Sequence, residues 1–206
     1  MLVATRNEGK LKELRLLLEG TGLRLETLAS HPEAGEVEET GVTFDENARS
    51  KASYAARVTG LWSVADDSGL VVDALGGAPG VRSARYAGVH GDDAANTARL
   101  LRELDGKPDR RARFVCAMAL ARPFSSDSSG EIVATAYGVC EGTIASVGRG
   151  KGGFGYDPVF VPLLMPDQTM AELDRHDKNA VSHRGAALRA FLPLIRVHFA
   201  EMRALR

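Results

Sequence analysis

The stretch Leu61-Trp62-Ser63-Val64-Ala65-Asp66-Asp67-Ser68-Gly69 joins a short apolar run to two adjacent carboxylates. Residues 61–65 predict a short buried strand, and Ser68-Gly69 predicts a bend directly after the aspartates. Open α/β sheets place ligand-binding groups at strand ends, and carboxylate oxygens suit Mg²⁺ better than softer metals. We therefore predict a metal-binding acidic turn, while a turn that only caps neighbouring amides is the plainer alternative.

Short apolar runs alternate with segments of helical period on both sides of this stretch, a pattern that indicates an α/β protein. Strands are predicted at residues 2–5, 23–28, 61–65, 70–75, 114–121 and 132–139. Helices are predicted at residues 10–19, between Thr43 and Gly60, and through Leu104 with Asp92 or Asp93 as its cap, and a last helix follows Ser182. The polar residues 125–130 predict a surface hairpin without chemistry.

The helix after residue 43 has the clearest boundaries. Thr43 and Glu46 form a capping-box sequence, and Gly60 ends the alanine-rich stripe that follows. Asn47 and Lys51 are four residues apart and so lie on one face of this helix. Lys51 is a candidate phosphate ligand, although most exposed helix lysines contact only water.

Composition narrows the class of protein. Of the 206 residues, 44% are hydrophobic and 26% are charged, which is ordinary for a soluble globular protein. A net charge of -1 disfavours binding to a polyanionic duplex but permits a single nucleotide. Cys116 and Cys140 lack the spacing of a zinc site, so we expect free, buried thiols. Residues 1–5 are too short for a signal peptide or membrane span, and the expected compartment is the cytoplasm.

The predicted strand, turn and helix in residues 2–19 place Lys10 and several backbone amides at a helix N-terminus, which suits a phosphate. The segment does not match a Walker A motif. The alternative is that Asn7 and Gly9 only make a turn and that Lys10 is solvated.

Three other segments carry candidate binding groups. Residues 152–158, Gly-Gly-Phe-Gly-Tyr-Asp-Pro, could let a planar base stack on an aromatic ring, although Phe154 could instead pack into the core. Ser182-His183-Arg184-Gly185 offers hydrogen-bond donors at the start of the last helix, with Lys178 just upstream. The acidic loop with Glu36, Glu38 and Glu39 could supply a metal oxygen or simply be a solvated surface.

Taken in order, these segments resemble the inosine triphosphate pyrophosphatase family, which hydrolyses deaminated purine nucleoside triphosphates to the monophosphate and pyrophosphate. The resemblance spans nearly the whole chain. Its motifs are Thr5-Arg6-Asn7-Glu8-Gly9-Lys10, Phe44-Asp45-Glu46-Asn47-Ala48 with Lys51, Ala65-Asp66-Asp67-Ser68-Gly69-Leu70, Pro79-Gly80-Val81-Arg82-Ser83-Ala84-Arg85-Tyr86, Gly153-Phe154-Gly155-Tyr156-Asp157-Pro158 and Ser182-His183-Arg184-Gly185.

The resemblance implies that Asp67 accepts the proton and binds Mg²⁺, and that Glu39 is a second metal contact. It leaves open whether Asp66 is a further ligand or a partner that orients Lys51 or water. The residues that it implies as substrate contacts are Thr5, Arg6, Asn7, Glu8, Gly9, Lys10, Lys51, Ser68, Phe154, Gly155, Tyr156, Asp157, Lys178, His183 and Arg184.

The resemblance also implies the architecture, a single domain of residues 1–206 with a mixed twisted sheet flanked by helices and two lobes around a central substrate cleft. A homodimer is expected, with a purine nucleoside triphosphate as substrate and neither nucleic acid nor membrane as partner. Three alternatives remain at this point. They are a related pyrophosphatase that prefers a modified pyrimidine nucleotide, a non-catalytic nucleotide sensor, and a nucleic-acid-binding module that uses Arg110, Arg111 and Arg113.

Overall fold

The computed structural model describes residues 1–35, 37, 39–123, 130–198 and 200. Within these residues the strands are β1 (Leu2–Val3), β2 (Glu26–Thr27), β3 (Ser63–Val72), β4 (Arg111–Arg122), β5 (Glu131–Ile144) and β6 (Phe160–Pro162). The α-helices are α1 (Glu8–Leu17), α2 (Phe44–Thr59), α3 (Asp93–Glu103), α4 (Arg175–Val181) and α5 (His183–Arg196). Short 3-10 helices lie at Leu28–Ser30, Asp73–Leu75 and Gly80–Arg85.

The strands form one mixed sheet in the order β2-β1-β3-β4-β5-β6. β1 pairs in parallel with both β2 and β3, whereas β5 and β6 are antiparallel. Leu2 and Val3 of β1 are both buried, as expected for a central parallel strand. The predicted α/β class with a mixed sheet and flanking helices is confirmed.

The predicted acidic turn is wrong. β3 runs without interruption from Ser63 to Val72, so residues 66–69 lie inside a strand rather than in a bend. Gly69 does not use the positive φ that glycine permits, and Leu70 beyond it is fully buried. Strand pairing and burial on the far side of the aspartates therefore outweigh the turn tendency of Ser68-Gly69.

The first helix begins earlier than predicted. The Asn7 side chain accepts a hydrogen bond from the Lys10 backbone N–H, which makes Asn7 the N-cap and places Glu8 and Gly9 in α1. The predicted turn at residues 6–9 is therefore half helix. The predicted second strand at residues 23–28 is reduced to the two residues of β2.

The boundaries of α2 are confirmed. Thr43 Oγ1 accepts from the Glu46 N–H at 3.2 Å, and Gly60 ends the helix in the left-handed region with φ 65°. The Glu46 carboxylate accepts from the Val42 N–H at 2.8 Å, one residue before the position that a capping box uses. The start of α2 therefore fixes the loop that precedes it.

The chain divides into two compact units. The first comprises Met1–Asp67, Ala117–Gly138 and Ala187–Arg206, and the second comprises Ser68–Cys116 and Val139–Ala186. The core of the first unit contains Leu2 and many alanines, namely Ala4, Ala48, Ala52, Ala55, Ala56, Ala65, Ala117, Ala119 and Ala121. The core of the second unit is built from larger side chains, among them Leu70, Leu100, Leu104, Phe114, Tyr156, Phe160 and Met170. The predicted cleft between two lobes of one domain stays a prediction.

Several smaller expectations are also settled. Cys116 and Cys140 are buried free thiols, as expected. α5 starts at His183, directly after Ser182 as predicted, and its side chains Leu188, Phe191 and Ile195 are buried. Most of the predicted hairpin, residues 125–129, lies outside the described residues. Among the helices of the described part of the chain, none is long and apolar enough to cross a membrane.

Candidate active site

Asp66 and Asp67 are neighbours on β3, and each carboxylate meets a different lysine. Successive strand side chains point to opposite faces of a sheet, which lets the two aspartates form ion pairs with different lysines. Asp66 Oδ2 lies 3.1 Å from Lys10 Nζ, and Asp67 Oδ1 lies 3.0 Å from Lys51 Nζ. The two aspartates are only 1% and 5% exposed, so the lysines supply charge that water cannot. Asp66 is thus the partner of Lys10.

Lys51 joins two carboxylates. Its ammonium lies 2.9 Å from Glu39 Oε1 and 3.0 Å from Asp67 Oδ1. Burial opposes the charged ammonium, but the carboxylates of Asp67, Glu39 and Asp66 outweigh it and raise the pKa of Lys51. The ammonium therefore stays charged near neutral pH. The alternative that this lysine contacts only water is wrong.

Asn47 completes the surroundings of Asp67 and was not among the predicted site residues. Its Nδ2 donates to Asp67 Oδ2 at 3.0 Å, while its Oδ1 accepts from the Gly41 N–H at 2.9 Å. The side chain is only 1% exposed. The available signal was the four-residue spacing to Lys51, which places both side chains on the helix face that meets β3.

The carboxylates suit a hard divalent cation. In the described part of the chain, no three His, Cys, Asp or Glu side chains converge in a metal-ligand cluster. The two carboxylates that do meet, Glu39 and Asp67, both contact one cation, the Lys51 ammonium. Mg²⁺ is commonly held by one or two carboxylates together with substrate phosphates and water. This donor set therefore fits Mg²⁺.

The segment before α1 is ordered by its own side chains. Thr5 Oγ1 accepts from the Asn7 N–H at 3.2 Å, and Asn7 Oδ1 accepts from the Lys10 N–H at 3.0 Å. The Arg6 guanidinium donates to the Ala34 carbonyl at 3.2 Å. Asn7 therefore caps the helix, whereas a phosphate contact for this segment stays a prediction.

The aromatic loop, residues 152–158, belongs to the second unit and is organised by Asp157. Asp157 Oδ2 accepts from the Phe154 N–H at 2.9 Å and pairs with Lys178 Nζ at 2.7 Å. Gly153 and Gly155 on either side of Phe154 have φ of 76° and 61°, values that favour glycine. The loop conformation thus depends on a buried carboxylate and two glycines.

The two aromatic residues of this loop have different roles. Phe154 is only partly buried, and two cations face its ring, Lys178 Nζ at 5.1 Å and Arg184 Cζ at 5.8 Å from the centroid. Tyr156 is buried, its hydroxyl donates to the Ser83 carbonyl at 2.9 Å, and burial raises its pKa above the usual range. The alternative of a core aromatic therefore describes Tyr156 rather than Phe154.

The start of α5 holds the remaining predicted donors. The Ser182 hydroxyl accepts from the Gly185 N–H at 3.0 Å, so it caps the helix. The His183 ring stacks on Phe114 with centroids 4.7 Å apart. Arg184 is buried and donates to Ser68 Oγ at 2.9 Å. Arg184 and Ser68 are thus in direct contact, while the assignment of Ser68, His183 and Arg184 to substrate binding stays a prediction.

Asp93, at the start of α3, also holds the aromatic loop and was not anticipated. Its Oδ2 accepts from the Gly155 N–H at 2.6 Å. Nothing in the sequence distinguished this aspartate from the neighbouring Asp92, which caps α3.

The basic run near residue 110 has structural partners. Arg110 donates to the carbonyl oxygens of Ile144 and Ala145 at 2.6 and 2.9 Å. Arg111 pairs with Asp109 and Arg113 with Asp73, at 2.8 and 2.9 Å. All three arginines therefore have partners within the chain, and the expected absence of nucleic-acid binding stays a prediction.

Sequence comparison places the chain among known proteins. Residues 1–194 match the sequence profile of the Ham1 family. A protein of Mycobacterium bovis named dITP/XTP pyrophosphatase is 55% identical over 201 residues, covering 95% of each chain. One of the same name from Exiguobacterium sp. is 53% identical over 190 residues, covering 92% of this chain and 93% of the relative.

Solved structures agree with the sequence matches. A HAM1 protein from Coxiella burnetii superimposes with a TM-score of 0.81 at 42% identity, covering 95% of this chain and 97% of the other. A nucleoside-triphosphatase / dITP/XTP pyrophosphatase from Mycobacterium abscessus gives a TM-score of 0.74 at 52% identity and covers 93% and 98%.

Proposed function

The chain belongs to the Ham1 family, and we propose that it hydrolyses the deaminated purine nucleoside triphosphates ITP, dITP and XTP to the monophosphate and pyrophosphate. It is a nucleoside triphosphate hydrolase, and removal of these nucleotides keeps them out of DNA and RNA. The observation that carries this proposal is the identity of more than half of the residues, over nearly the full length, to proteins named for that reaction.

Asp67 is the general base in this proposal. Lys51 holds one of its carboxylate oxygens and Asn47 the other, so the carboxylate has one fixed orientation. It takes the proton of the attacking water while the water oxygen bonds to the α-phosphorus. The bond from that phosphorus to the α–β bridging oxygen breaks, and pyrophosphate leaves with the bonding electron pair. A positioned base of this kind contributes roughly 10²- to 10⁴-fold to the rate.

The triphosphate meets the cations of the first unit. The ammonium groups of Lys10 and Lys51 each face buried carboxylates, so both are fixed before substrate arrives. The N-terminus of α1 adds backbone N–H groups and its partial positive charge, which residues 5–10 present to phosphate oxygens. Fixed positive charge of this kind stabilises the departing pyrophosphate.

We propose that Glu39 and Asp67 hold Mg²⁺, because their oxygens already meet at one cation. Mg²⁺, when bound, neutralises charge on the phosphate oxygens. Lys51 contributes by holding both carboxylates in place through its two hydrogen bonds.

We assign the purine base of the substrate to the aromatic loop. Phe154 offers a ring face for stacking, with Lys178 and Arg184 beside it. A donor from His183 or Arg184 can pair with the 6-oxo group of inosine or xanthosine, whereas the 6-amino group of adenine would leave that donor unpaired. GTP also has a 6-oxo group, so this contact does not exclude it.

We also propose a cytoplasmic homodimer that does not bind nucleic acid or membrane. The net charge of -1 supports the absence of nucleic-acid binding. A nucleotide pool as the source of substrate supports the cytoplasm, and sedimentation of the purified chain tests the dimer.

The reaction is tested by measuring hydrolysis of a panel of nucleotides in the presence of Mg²⁺, with pyrophosphate and orthophosphate measured separately. The panel compares ITP, dITP and XTP with ATP, GTP, dUTP and modified pyrimidine triphosphates. We expect more pyrophosphate release from ITP, dITP and XTP than from the other nucleotides. Preference for a pyrimidine would favour the related pyrophosphatase, and nucleotide binding without turnover would favour the sensor.

A further inference from the structure

We infer that Asn47 is a positioning residue of this reaction. Its side chain fixes the orientation of the Asp67 carboxylate and the position of the loop that carries Glu39. The inference rests on the proposed function, because it concerns the residue assigned there as the general base. Asn47, Gly41, Glu39 and Asp67 all belong to the first unit.

The orientation of the Asn47 amide is fixed by its two partners. The Gly41 N–H can only donate, so the atom 2.9 Å from it is the amide oxygen. The amide nitrogen then points to Asp67 Oδ2 at 3.0 Å. With Lys51 on Oδ1, both carboxylate oxygens of Asp67 have a donor, and the carboxylate cannot rotate without losing one.

The same side-chain amide also fixes the position of the acidic loop that carries Glu39. Gly41 lies two residues after Glu39, and the neighbouring Val42 N–H is held by the Glu46 carboxylate at 2.8 Å. A Cβ on Gly41 would lie 2.6 Å from Asn47 Oδ1, closer than real contacts allow. The absence of a side chain at residue 41 therefore permits the close approach, and the loop carrying Glu39 is fixed relative to Asp67.

Asn96 is a matched control in the second unit. Like Asn47 in α2, it is the fourth residue of its helix, α3, and it is buried. It also accepts from one backbone N–H, that of Ala87, and donates to one acceptor, the Ala84 carbonyl. Replacing Asn96 therefore removes an equivalent pair of hydrogen bonds without touching Asp67.

The experiment measures kcat and KM for dITP and the melting temperature in wild type, Asn47→Leu and Asn96→Leu. Both variants should melt at lower temperature. Only Asn47→Leu should lower kcat, by about 10- to 100-fold as for other residues that orient a reacting group, with KM changed less than about threefold. Equal loss of kcat in the two variants would assign Asn47 a merely structural role and overturn the inference.

Two further variants keep the test decisive if Asn47→Leu does not fold. Asn47→Asp keeps the acceptor for Gly41 but loses the donor to Asp67, so kcat should fall at least about tenfold. Gly41→Ala leaves the Asn47 side chain in place but displaces it, and a smaller fall is expected. Wild-type kcat in Asn47→Asp would contradict the inference.

A double variant separates action through Asp67 from any other effect. In an Asp67→Asn protein, adding Asn47→Leu should change the residual rate less than about twofold, because both changes remove one function. Fully multiplicative losses would overturn the inference. If wild type releases no pyrophosphate from dITP, the proposed function fails; if it does and Asn47→Leu matches it, only the positioning role fails.

Discussion

Replacing Gly153 by alanine tests the geometry of the aromatic loop. Gly153 has φ 76°, a left-handed conformation that costs alanine about 1–2 kcal/mol. The added Cβ would also overlap Asp157 Oδ2 and lie 2.8 Å from Asp157 Cγ. Asp157 must then move, although it is buried and holds both the Phe154 N–H and Lys178.

The size of the effect follows from these two costs. A hydrogen bond to a charged group contributes about 1.5–3 kcal/mol, so loss of one such bond plus the backbone strain lowers the free energy of unfolding by about 2.5–5 kcal/mol. Gly155→Ala is the matched control, because Gly155 has φ 61° but no atom within 4 Å of its added Cβ. That variant carries only the strain, about 1–2 kcal/mol.

Urea unfolding measures both free energies of unfolding. Steady-state kinetics with dITP measure the effect on the proposed binding site for the purine base. Gly153→Ala should be less stable than Gly155→Ala by about 2 kcal/mol, the contribution of one charged hydrogen bond. It should also raise KM more than it lowers kcat, because Phe154 and Lys178 lose their shared support. Equal stability and equal KM in the two alanine variants would refute the assignment of Asp157 as the support of this loop.

Three other predictions concern a buried thiol, a histidine–glutamate pair and a buried ion pair. Burial raises the pKa of the Cys140 thiol to about 12, so iodoacetamide should label the native protein slowly near neutral pH and the urea-unfolded protein fully; rapid native labelling would contradict the burial. Hydrogen bonding to Glu26 raises the pKa of His31. The His31–Glu26 pair therefore stabilises the fold by under about 1 kcal/mol at pH values below the ordinary histidine pKa, and this contribution is lost as pH rises through the raised pKa. The free energy of unfolding against pH, compared between wild type and His31→Gln, measures it. At the acid side the same pair loses stability as pH falls through the lowered pKa of Glu26. Lys10→Met removes the cation beside buried Asp66 and should cost about 3 kcal/mol in urea unfolding, with much of it restored by Asp66→Asn in the same chain.

The sequence predicted those parts of the fold that local rules determine. The start of α2 at Thr43 and its end at Gly60 follow from capping chemistry, and both are correct. The bend at residues 66–69 was wrong because it depended on Ser68 and Gly69 alone. Whether such residues turn or continue a strand is decided by neighbouring strands and by burial, which are distant in sequence.

For the candidate site, too, residue types could be predicted from the sequence, whereas contacts distant in sequence could not. The motifs identified Asp67, Lys51 and Arg184 by residue type, but their contacts depend on which side chains the fold brings together. Asn47 was visible only as a helix position four residues before Lys51, since its partner Asp67 lies twenty residues away. The sequence left the role of Asp66 open, and in the structure its carboxylate pairs with Lys10.

The variant Asp67→Asn tests most directly whether Asp67 is the general base of a pyrophosphatase reaction. Equilibrium binding of dITP and the rate of pyrophosphate release are measured on the same variant. The claim predicts that dITP still binds, while pyrophosphate release falls by about 10²- to 10⁴-fold. Near-normal release from Asp67→Asn would remove Asp67 from the mechanism and contradict the account.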